Sequence, residues 1–175
     1  ARVRTQEAKH KHPTAGCLDS QSVKTTEVGG PERGFDNGKK VKGRKRHVLV
    51  DTLGLLLIVV VTAASLSDQA GARHLFKRMR GTGKKLRKVW VDGTYRGAAW
   101  SFWVKEQYRI VLESVTRAEG QKGFAVLPHR WVVERTLAWL NQNRRLSKDY
   151  EELPSTSETF VYVAMTRLML KRLAA

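Results

Sequence analysis

Two aspartates stand at positions where strands rarely place a carboxylate. Asp19 lies inside the partly alternating stretch Ala15–Lys24, which predicts a strand although aspartate is depleted in strands. It therefore marks a bulge, a strand end or a site. Asp92 follows the apolar stretch Lys88–Val91 and directly precedes Gly93. An acidic side chain there is typical of a ligand or metal site, and equally of a turn that caps the next helix.

A third carboxylate, Glu134, lies in residues 130–148, which contain no Gly or Pro and span about five helical turns. Apolar residues surround most of the helical circumference, which predicts a buried helix with one polar stripe. A buried carboxylate is unfavourable unless it is paired or binds a metal. Either Glu134 belongs to a site, or it pairs with Arg130 on a half-exposed face. The same stripe holds Asn141, Arg145 and Lys148.

The chemistry that needs several clustered carboxylates is metal-dependent phosphoryl transfer. Two Mg²⁺ ions about 4 Å apart stabilise the attacking and leaving oxygens of an in-line displacement. Mg²⁺ prefers oxygen ligands, typically carboxylates together with water and substrate phosphate. Without a cation, clustered carboxylates repel and raise each other's pKa. Two aspartates and a glutamate in one site therefore predict an enzyme that cuts or joins nucleic acid.

The predicted secondary structure can bring these residues together. Strand patterns at 15–24, 47–51, 55–62, 88–92 and 109–115 alternate with helix patterns at 67–80, 98–107, 130–148 and 154–172. Early strands joined by short turns form antiparallel pairs, whereas strands separated by helices form crossover connections. The order predicts an α/β fold, with a mixed five-stranded sheet and helices on both faces. In such a sheet the first strand can lie beside the fourth, so Asp19 and Asp92 become neighbours.

The chain is strongly basic, with 33 Lys and Arg against 16 Asp and Glu in 175 residues, a net charge of +17. This excess predicts a polyanionic partner, most simply nucleic acid, with an anionic membrane surface as the competing interpretation. Residues 39–47 concentrate the charge, and they either contact phosphate or form a solvated run. The longest apolar run, residues 55–61, is too short to span a membrane.

The length fits one domain. Residues 1–15 are polar and basic, which predicts a linker or loose lead-in, and residues 16–175 form the catalytic domain. The single cysteine, Cys17, excludes an internal disulfide and is expected to be a small core residue.

Three sequence motifs resemble those of a known enzyme family. They read DSQSVKT from Asp19, VDGTYRG around Asp92 and RWVVERTLAWL around Glu134. They closely resemble the motifs of bacterial insertion-sequence transposases of the insertion-sequence-five group, which are DDE enzymes with a ribonuclease H-like fold. The resemblance implies that Asp19, Asp92 and Glu134 are catalytic and bind two Mg²⁺ ions, with Mn²⁺ as a substitute. It also implies that the enzyme nicks and rejoins double-stranded DNA at transposon ends, as a homo-oligomer, in the bacterial cytoplasm beside the nucleoid.

We expect DNA to follow a basic surface beside this triad. The expected contacts are Lys39, Lys40, Lys42, Arg44, Lys45, Arg46, Arg96, Arg130, Arg145 and Lys148. Relatives in the wider group carry a Y-x-x-R pattern and a lysine seven residues after the glutamate, where this chain has Leu127 and Asn141. Arg130 is retained, and Lys148 on the predicted stripe is a candidate DNA contact in place of the family lysine.

Relatives also usually carry an amino-terminal helical DNA-binding region, whereas only a short segment precedes Asp19 here. A truncated copy is therefore one expectation. Two other functions stay open: a catalytically inactive, basic DNA-binding relic, and a hydrolytic nuclease of the same fold. DNA binding without divalent-metal dependence distinguishes the first, and cleavage without strand joining distinguishes the second.

Overall fold

A mixed β-sheet forms the centre of this computed structural model, which describes residues 1–27, 29–79, 83, 85–116 and 128–174. The described strands are β1 Ala15–Lys24, β2 Gly34–Asp36, β3 Val41–Asp51, β4 Leu56–Ala63, β5 Lys88–Val91 and β6 Val111–Ser114. The described helices are α1 Arg2–Gln6, α2 Asp68–Arg78, α3 Ala98–Tyr108, α4 Trp131–Asn141 and α5 Pro154–Ala174, with 3₁₀ turns at Gly93–Tyr95 and Arg144–Leu146. None of these helices has the length and apolar character that crossing a membrane requires.

The strand order is β2-β3-β1-β5-β6, and β4 also pairs with β3. β3 is antiparallel to β1, β2 and β4, whereas β5 is parallel to β1 and β6 is parallel to β5. This topology confirms the predicted mixed sheet, with the first strand beside the strand that leads to Asp92. The described residues form a six-stranded sheet rather than the predicted five. The additional strand is the three-residue β2, within residues 25–42, whose turn residues predict a long loop or an irregular hairpin.

Alternate residues of the central strands face opposite helical layers, as strand geometry requires. On one face, Leu18 and Leu49 belong to a core that includes residues of α2 and α3. On the other face, Val48 and Val50 belong to a core with residues of α4 and α5. The unbroken apolar run of residues 55–61 predicts a strand covered on both faces. The residues of β4 are shared between the same two cores, which confirms this prediction.

The outer edge of β4 is covered by side chains of α5. Val61 N donates to Glu158 Oε1 at 2.9 Å, and Val59 N donates to the Tyr162 hydroxyl at 3.4 Å. Arg78 of α2 donates to the same Glu158 carboxylate at 2.7 Å. Exposed strand edges are templates for pairing with other chains, so these contacts close the sheet on this side.

The basic block of β3 lies in the interior, which corrects the prediction that Arg44, Lys45 and Arg46 contact phosphate. Arg44 and Arg46 are 0% exposed and Lys45 is 5% exposed. The two guanidinium groups donate to backbone carbonyls: those of Glu32, Glu151 and Glu152 for Arg44, and those of Leu146 and Lys148 for Arg46. Both arginines therefore fix residues 144–152, which connect α4 to α5. Strand alternation places them on the α4 and α5 side of the sheet.

The intervening residues of β3 face α2. Lys45 Nζ lies 3.2 Å from Asp36 Oδ2 and 3.1 Å from Asp68 Oδ1, so its charge is neutralised inside the protein. His47 packs so closely against Gly71 that a Cβ there would lie 2.0 Å from the imidazole. Burial lowers the pKa of His47 to about 4, which leaves the ring neutral near pH 7.

The amino-terminal segment, expected to be loose, is fixed to the sheet. Arg4 Nη1 lies 2.6 Å from Asp51 Oδ2, and both side chains are buried. Arg4 Nε donates to the His10 carbonyl at 2.8 Å, which folds the following residues back onto α1. A buried ion pair at the end of β3 thus holds residues that their polar composition had suggested were solvated.

The helix predicted for residues 130–148 is shorter. α4 ends at Asn141, and Asn143 is extended, with φ −86° and ψ 116°. The Asn143 side chain donates to the carbonyls of Trp139 and Leu140, at 3.0 and 3.2 Å, and so replaces the hydrogen bonds of a further turn. Arg145 and Lys148 consequently do not share the stripe of Glu134. The loop predicted for residues 116–128 falls mainly on 117–127, including Leu127, outside the described residues.

Candidate active site

Parallel pairing of β1 with β5 places Asp19 beside Asp92. The register joins Ala15 to Lys88, Gly16 to Val89 and Cys17 to Trp90. Two residues further along each strand, the same register reaches Asp19 and Asp92. The predicted adjacency of the two aspartates therefore follows from the strand order.

Each aspartate has one oxygen fixed by the backbone that follows it. Ser20 N donates to Asp19 Oδ1 at 2.7 Å, and Thr94 N donates to Asp92 Oδ1 at 2.8 Å. The Thr94 hydroxyl also donates to Asp92 Oδ1. Asp92 is thus both a cap for the 3₁₀ turn and a residue whose Oδ2 faces the site. Sequence reasoning missed Thr94, although Asp-Gly-Thr is typical of turns in which an aspartate accepts from the backbone.

Arg130 gathers all three carboxylates around one nitrogen. Its Nη2 lies 3.4 Å from Asp19 Oδ2, 3.9 Å from Asp92 Oδ2 and 3.5 Å from Glu134 Oε1. All three carboxylate oxygens therefore lie within 3.9 Å of the same nitrogen atom. The intrahelical Arg130–Glu134 pair expected as the simpler interpretation exists, but it is one part of a cluster of four residues.

The exposure of Glu134 departs from the prediction of a buried helix. The Glu134 side chain is 53% exposed, so the helix is not apolar nearly all round. Trp131 is 42% exposed, and the buried face of α4 consists of Val132, Val133, Thr136, Leu137 and Leu140. Glu134 is therefore stabilised by solvent as well as by Arg130, and its side chain has room to rotate.

The segment before α4 fixes the start of the helix that carries Arg130. His129 has a left-handed backbone with φ 65°, and its ring stacks on Trp90 with 3.9 Å between ring centroids. Cys17 Sγ donates to the His129 carbonyl at 3.1 Å. Burial, followed by the negative charge of Asp51, raises the pKa of the Cys17 thiol to about 12. Cys17 is thus a structural residue, as expected, rather than a nucleophile.

Burial dominates the electrostatics of Asp19. Burial raises the pKa of Asp19 to about 6, and the negative charge of Asp92 adds to this effect. The Ser20 N–H and the Arg130 guanidinium act in the opposite direction. A cation close to Asp19 would stabilise its ionised form and so lower this raised pKa.

The raised pKa of Asp19 predicts a pH-dependent stability of the metal-free protein. A carboxyl whose pKa is higher in the folded state binds more protons when folded, so its stabilising contribution is lost as the pH rises. We expect the free energy of unfolding of the wild type, measured in urea relative to the Asp19→Asn variant, to fall between pH 3.8 and about 6. A difference that stays flat across this range would contradict the assignment.

The donor set fits a hard divalent cation, because the three converging side chains offer only carboxylate oxygens. In the structure as described, no three His, Cys, Asp or Glu residues are already arranged as metal ligands. The reason is visible in the cluster: the Arg130 guanidinium lies where the three carboxylates meet. Within the same residues, the buried Arg130 Nε has no hydrogen-bond partner, so this arginine is held chiefly by charge.

The other cations predicted to bind DNA differ in their exposure and in their contacts. Lys39 Nζ donates to the Ser20 carbonyl at 3.1 Å, next to Asp19. Arg96 is exposed and donates to the hydroxyls of Ser114 and Thr116 beside Asp92. Lys40, Lys42 and Lys148 are exposed. Arg145 is exposed but paired with Glu151 at 2.9 Å.

Asn141, at the position of the family lysine, is bonded to the strand that carries Asp19. Gln21 Nε2 donates to Asn141 Oδ1 at 3.1 Å. Gln21 lies two residues after Asp19 on the same face of β1, so this bond connects β1 to the carboxyl end of α4. The contact is neutral where a lysine would supply a positive charge.

Solved structures define the class of fold. The catalytic core domain of BIV integrase has a TM-score of 0.50 and 13% identity, over 87% of this chain and 80% of that chain. An intasome of simian T-cell lymphotropic virus, in complex with the PP2A regulatory subunit B56 gamma, has a TM-score of 0.51 and 16% identity, over 89% of this chain and 48% of that chain. At these identities the likeness concerns the fold alone. The protein is an α/β domain of ribonuclease H-like fold, as predicted.

Sequence comparison defines the family. The family model described as the transposase DDE domain matches residues 10–169, and the chain belongs to that family. A Burkholderia cepacia protein assigned as a transposase for insertion sequence element IS402 is 28% identical over 122 residues. The match covers 62% of this chain and 54% of the relative, so the chain spans about half the length of that protein.

Proposed function

We propose that this domain catalyses divalent-metal-dependent cleavage and strand transfer of DNA during the movement of an insertion sequence. The observation that carries this proposal is the convergence of Asp19, Asp92 and Glu134 on Arg130 Nη2. Membership of the transposase DDE domain family supports the reaction, and the IS402 relative supports an insertion sequence as the substrate.

Asp19, Asp92 and Glu134 would hold Mg²⁺, as two ions, with Mn²⁺ as a substitute. Bound there, the metal would stabilise negative charge on the reacting phosphate oxygens. The two aspartates are suited to this task because each has one oxygen fixed by a backbone N–H while the other faces the site. With the three carboxylates holding a metal, the Arg130 guanidinium would be free to donate to a phosphate oxygen.

The surface around this site suits double-stranded DNA. The exposed cations that we assign to it are Lys39, Lys40, Lys42, Arg96, Arg145 and Lys148, with Arg130 at the centre. A net charge of +17 favours binding through release of counterions from the DNA. We further propose that two or more copies act together on transposon ends and target, in the bacterial cytoplasm beside the nucleoid.

A plasmid assay tests the proposal. Protein and supercoiled DNA are incubated with Mg²⁺ or with EDTA, and a pre-cut duplex end is supplied to detect joining. We expect nicked circles and joined products with Mg²⁺ only, and neither product from the Glu134→Gln variant. Glu106→Gln, an exposed substitution on α3, is the matched control and should behave as the wild type.

Each other outcome has a defined meaning. Equal nicking by wild type and Glu134→Gln, or nicking in EDTA, would show that the triad does not act through a metal. Nicking without joining would indicate a hydrolytic nuclease. Salt-sensitive DNA binding with no product under any metal condition would indicate a DNA-binding protein alone.

A further inference from the structure

A basic groove lies beside the β2–β3 hairpin, outside the triad. It has a volume of about 370 Å³, and its lining includes Lys24, Glu27, Arg33, Phe35, Lys40 and Lys42. Four of these side chains are cationic and one is anionic, and all five charged residues are exposed. We call this surface the hairpin groove. Its charge is complementary to a phosphate backbone.

Phe35 distinguishes the hairpin groove from an ordinary basic surface. Its side chain is 45% exposed although it lies within a strand, where β2 pairs it with Lys42. An exposed aromatic ring among cations is typical of surfaces that stack on the bases of unpaired nucleic acid, because every base has an apolar face. A duplex would present its backbone to this ring and leave the face of the ring unused.

The hairpin that carries Phe35 is firmly held. The neighbouring Asp36 accepts hydrogen bonds from the Ser22 hydroxyl at 2.6 Å and from the backbone of Gly38 and Lys39, each at 3.0 Å. The same carboxylate lies 3.2 Å from Lys45 Nζ. Phe35 is therefore presented by an anchored strand, so little conformational entropy is lost when a ligand stacks on it.

β1 links the triad to the hairpin groove, because Asp19 lies on this strand and Lys24, at its carboxyl end, lines the groove. From Asp19 to Lys24 the strand extends about 16 Å at about 3.3 Å per residue. Lys39, whose ammonium bonds the Ser20 carbonyl, adds a cation next to Asp19. A DNA strand that reacts at the triad therefore has the groove within a few nucleotides of it.

We propose that the hairpin groove binds a single strand of DNA that flanks the reacting phosphate, with phosphates on its cations and one base stacked on Phe35. The inference rests on the proposed function, which supplies DNA as the partner and the triad as the reacting site. The proposal adds a flanking segment of the DNA substrate to the part that the triad contacts, and it requires this segment to be unpaired.

Fluorescence anisotropy in EDTA tests the groove without catalysis. The probe is a labelled duplex with a single-stranded overhang that is lengthened one nucleotide at a time, compared with the blunt duplex. For the wild type we expect affinity to rise as the overhang lengthens and to level off once the single strand occupies the groove. Phe35→Ala should lose roughly five- to a hundredfold of the affinity for the overhang DNA, and little for the blunt duplex.

Two matched controls separate this effect from general damage. Phe102 is 66% exposed on α3, so Phe102→Ala removes an exposed aromatic ring elsewhere and should bind as the wild type. Lys42→Gln should reduce the salt dependence of overhang binding by about one phosphate contact, whereas Lys105→Gln on α3 should not.

The outcomes are decisive for the groove and separate from those of the plasmid assay. Overhang affinity that is the same for Phe35→Ala and Phe102→Ala would overturn the proposal. If Phe35→Ala lost equal affinity for overhang and blunt duplex DNA, the proposal would also be overturned, because the effect would then not depend on an unpaired base. A selective loss would establish the groove even if the plasmid assay detected no cleavage, and triad-dependent cleavage would stand even if the groove failed.

Discussion

Replacing Asp92 with Asn is expected to slow the proposed Mg²⁺-dependent DNA cleavage by roughly three orders of magnitude, equivalent to about 4 kcal/mol of transition-state stabilisation. Asparagine can still accept from Thr94 N, so the 3₁₀ turn should keep its cap. What disappears is the negative charge on the atom that faces Arg130 at 3.9 Å. The measurement is the initial rate of plasmid nicking at saturating Mg²⁺.

Binding and stability provide the controls for Asp92→Asn. Removing a negative charge beside the DNA should leave metal-free DNA affinity unchanged or slightly higher, and the melting temperature should stay near that of the wild type. Glu106→Gln should keep the wild-type nicking rate, because it changes charge on an exposed face of α3. A nicking rate for Asp92→Asn within a fewfold of the wild type would contradict a role for Asp92 in the reaction.

The largest effect on stability is expected from Arg44→Met. Arg44 is fully buried, donates to three backbone carbonyls and lies 3.4 Å from Asp149 Oδ1. Removing one partner of a buried charged pair costs about 3–5 kcal/mol, because the remaining carboxylate stays buried without a counter-charge. In a chain of 175 residues this corresponds to a fall in melting temperature of roughly 6–20 °C.

Lys42→Met is the matched control, since it removes a charge from the exposed start of the same strand. Its effect on the free energy of unfolding should stay within about 0.5 kcal/mol. The pair also distinguishes the buried role of Arg44 from the phosphate contact that its sequence context suggested. If Arg44→Met lowered DNA affinity and salt dependence while leaving stability intact, the interior role would be wrong.

The sheet was predictable because its signals are local. Alternating and continuous apolar stretches predicted β1, β4 and the apolar half of β3, residues 47–51, but not the basic half, residues 41–46. Helical patterns between the later strands implied parallel crossovers. Parallel adjacency of β1 and β5 then followed from topology, and with it the meeting of Asp19 and Asp92. β2 was not predicted as a strand, because its three residues between glycine-rich turns are too few to show an alternating pattern.

The basic strand could not be interpreted from composition. Residues 39–47 are a dense run of cations, and a solvated or phosphate-binding surface is the ordinary meaning of such a run. Alternation within β3 places Arg44 and Arg46 on one face, where backbone carbonyls a hundred or more residues away accept most of their hydrogen bonds. These acceptors belong to the connector between α4 and α5, whose only regular element among the described residues is one 3₁₀ turn, so no periodic pattern predicted them.

The site could be predicted only in part from the sequence. The motifs placed Asp19, Asp92 and Glu134 in one cluster, but the central position of Arg130 depends on where α4 begins relative to the sheet. The early end of α4 depends on the side chain of Asn143, which bonds its own helix without any Gly or Pro to mark the break. The roles of Arg145 and Lys148 therefore could not follow from helical geometry.

During synthesis, the outer edge of β4 stays open until α5 has left the ribosome. The acceptors that close it, Glu158 and Tyr162, lie about a hundred residues downstream in the chain. Chains that are interrupted before this helix keep a row of unpaired N–H groups, and such edges recruit other copies into aggregates. Chains that end before α5 are therefore expected to aggregate more readily than complete ones. In the complete chain, Val59 and Val61 donate to α5 and have no N–H left for pairing with the sheet of another copy.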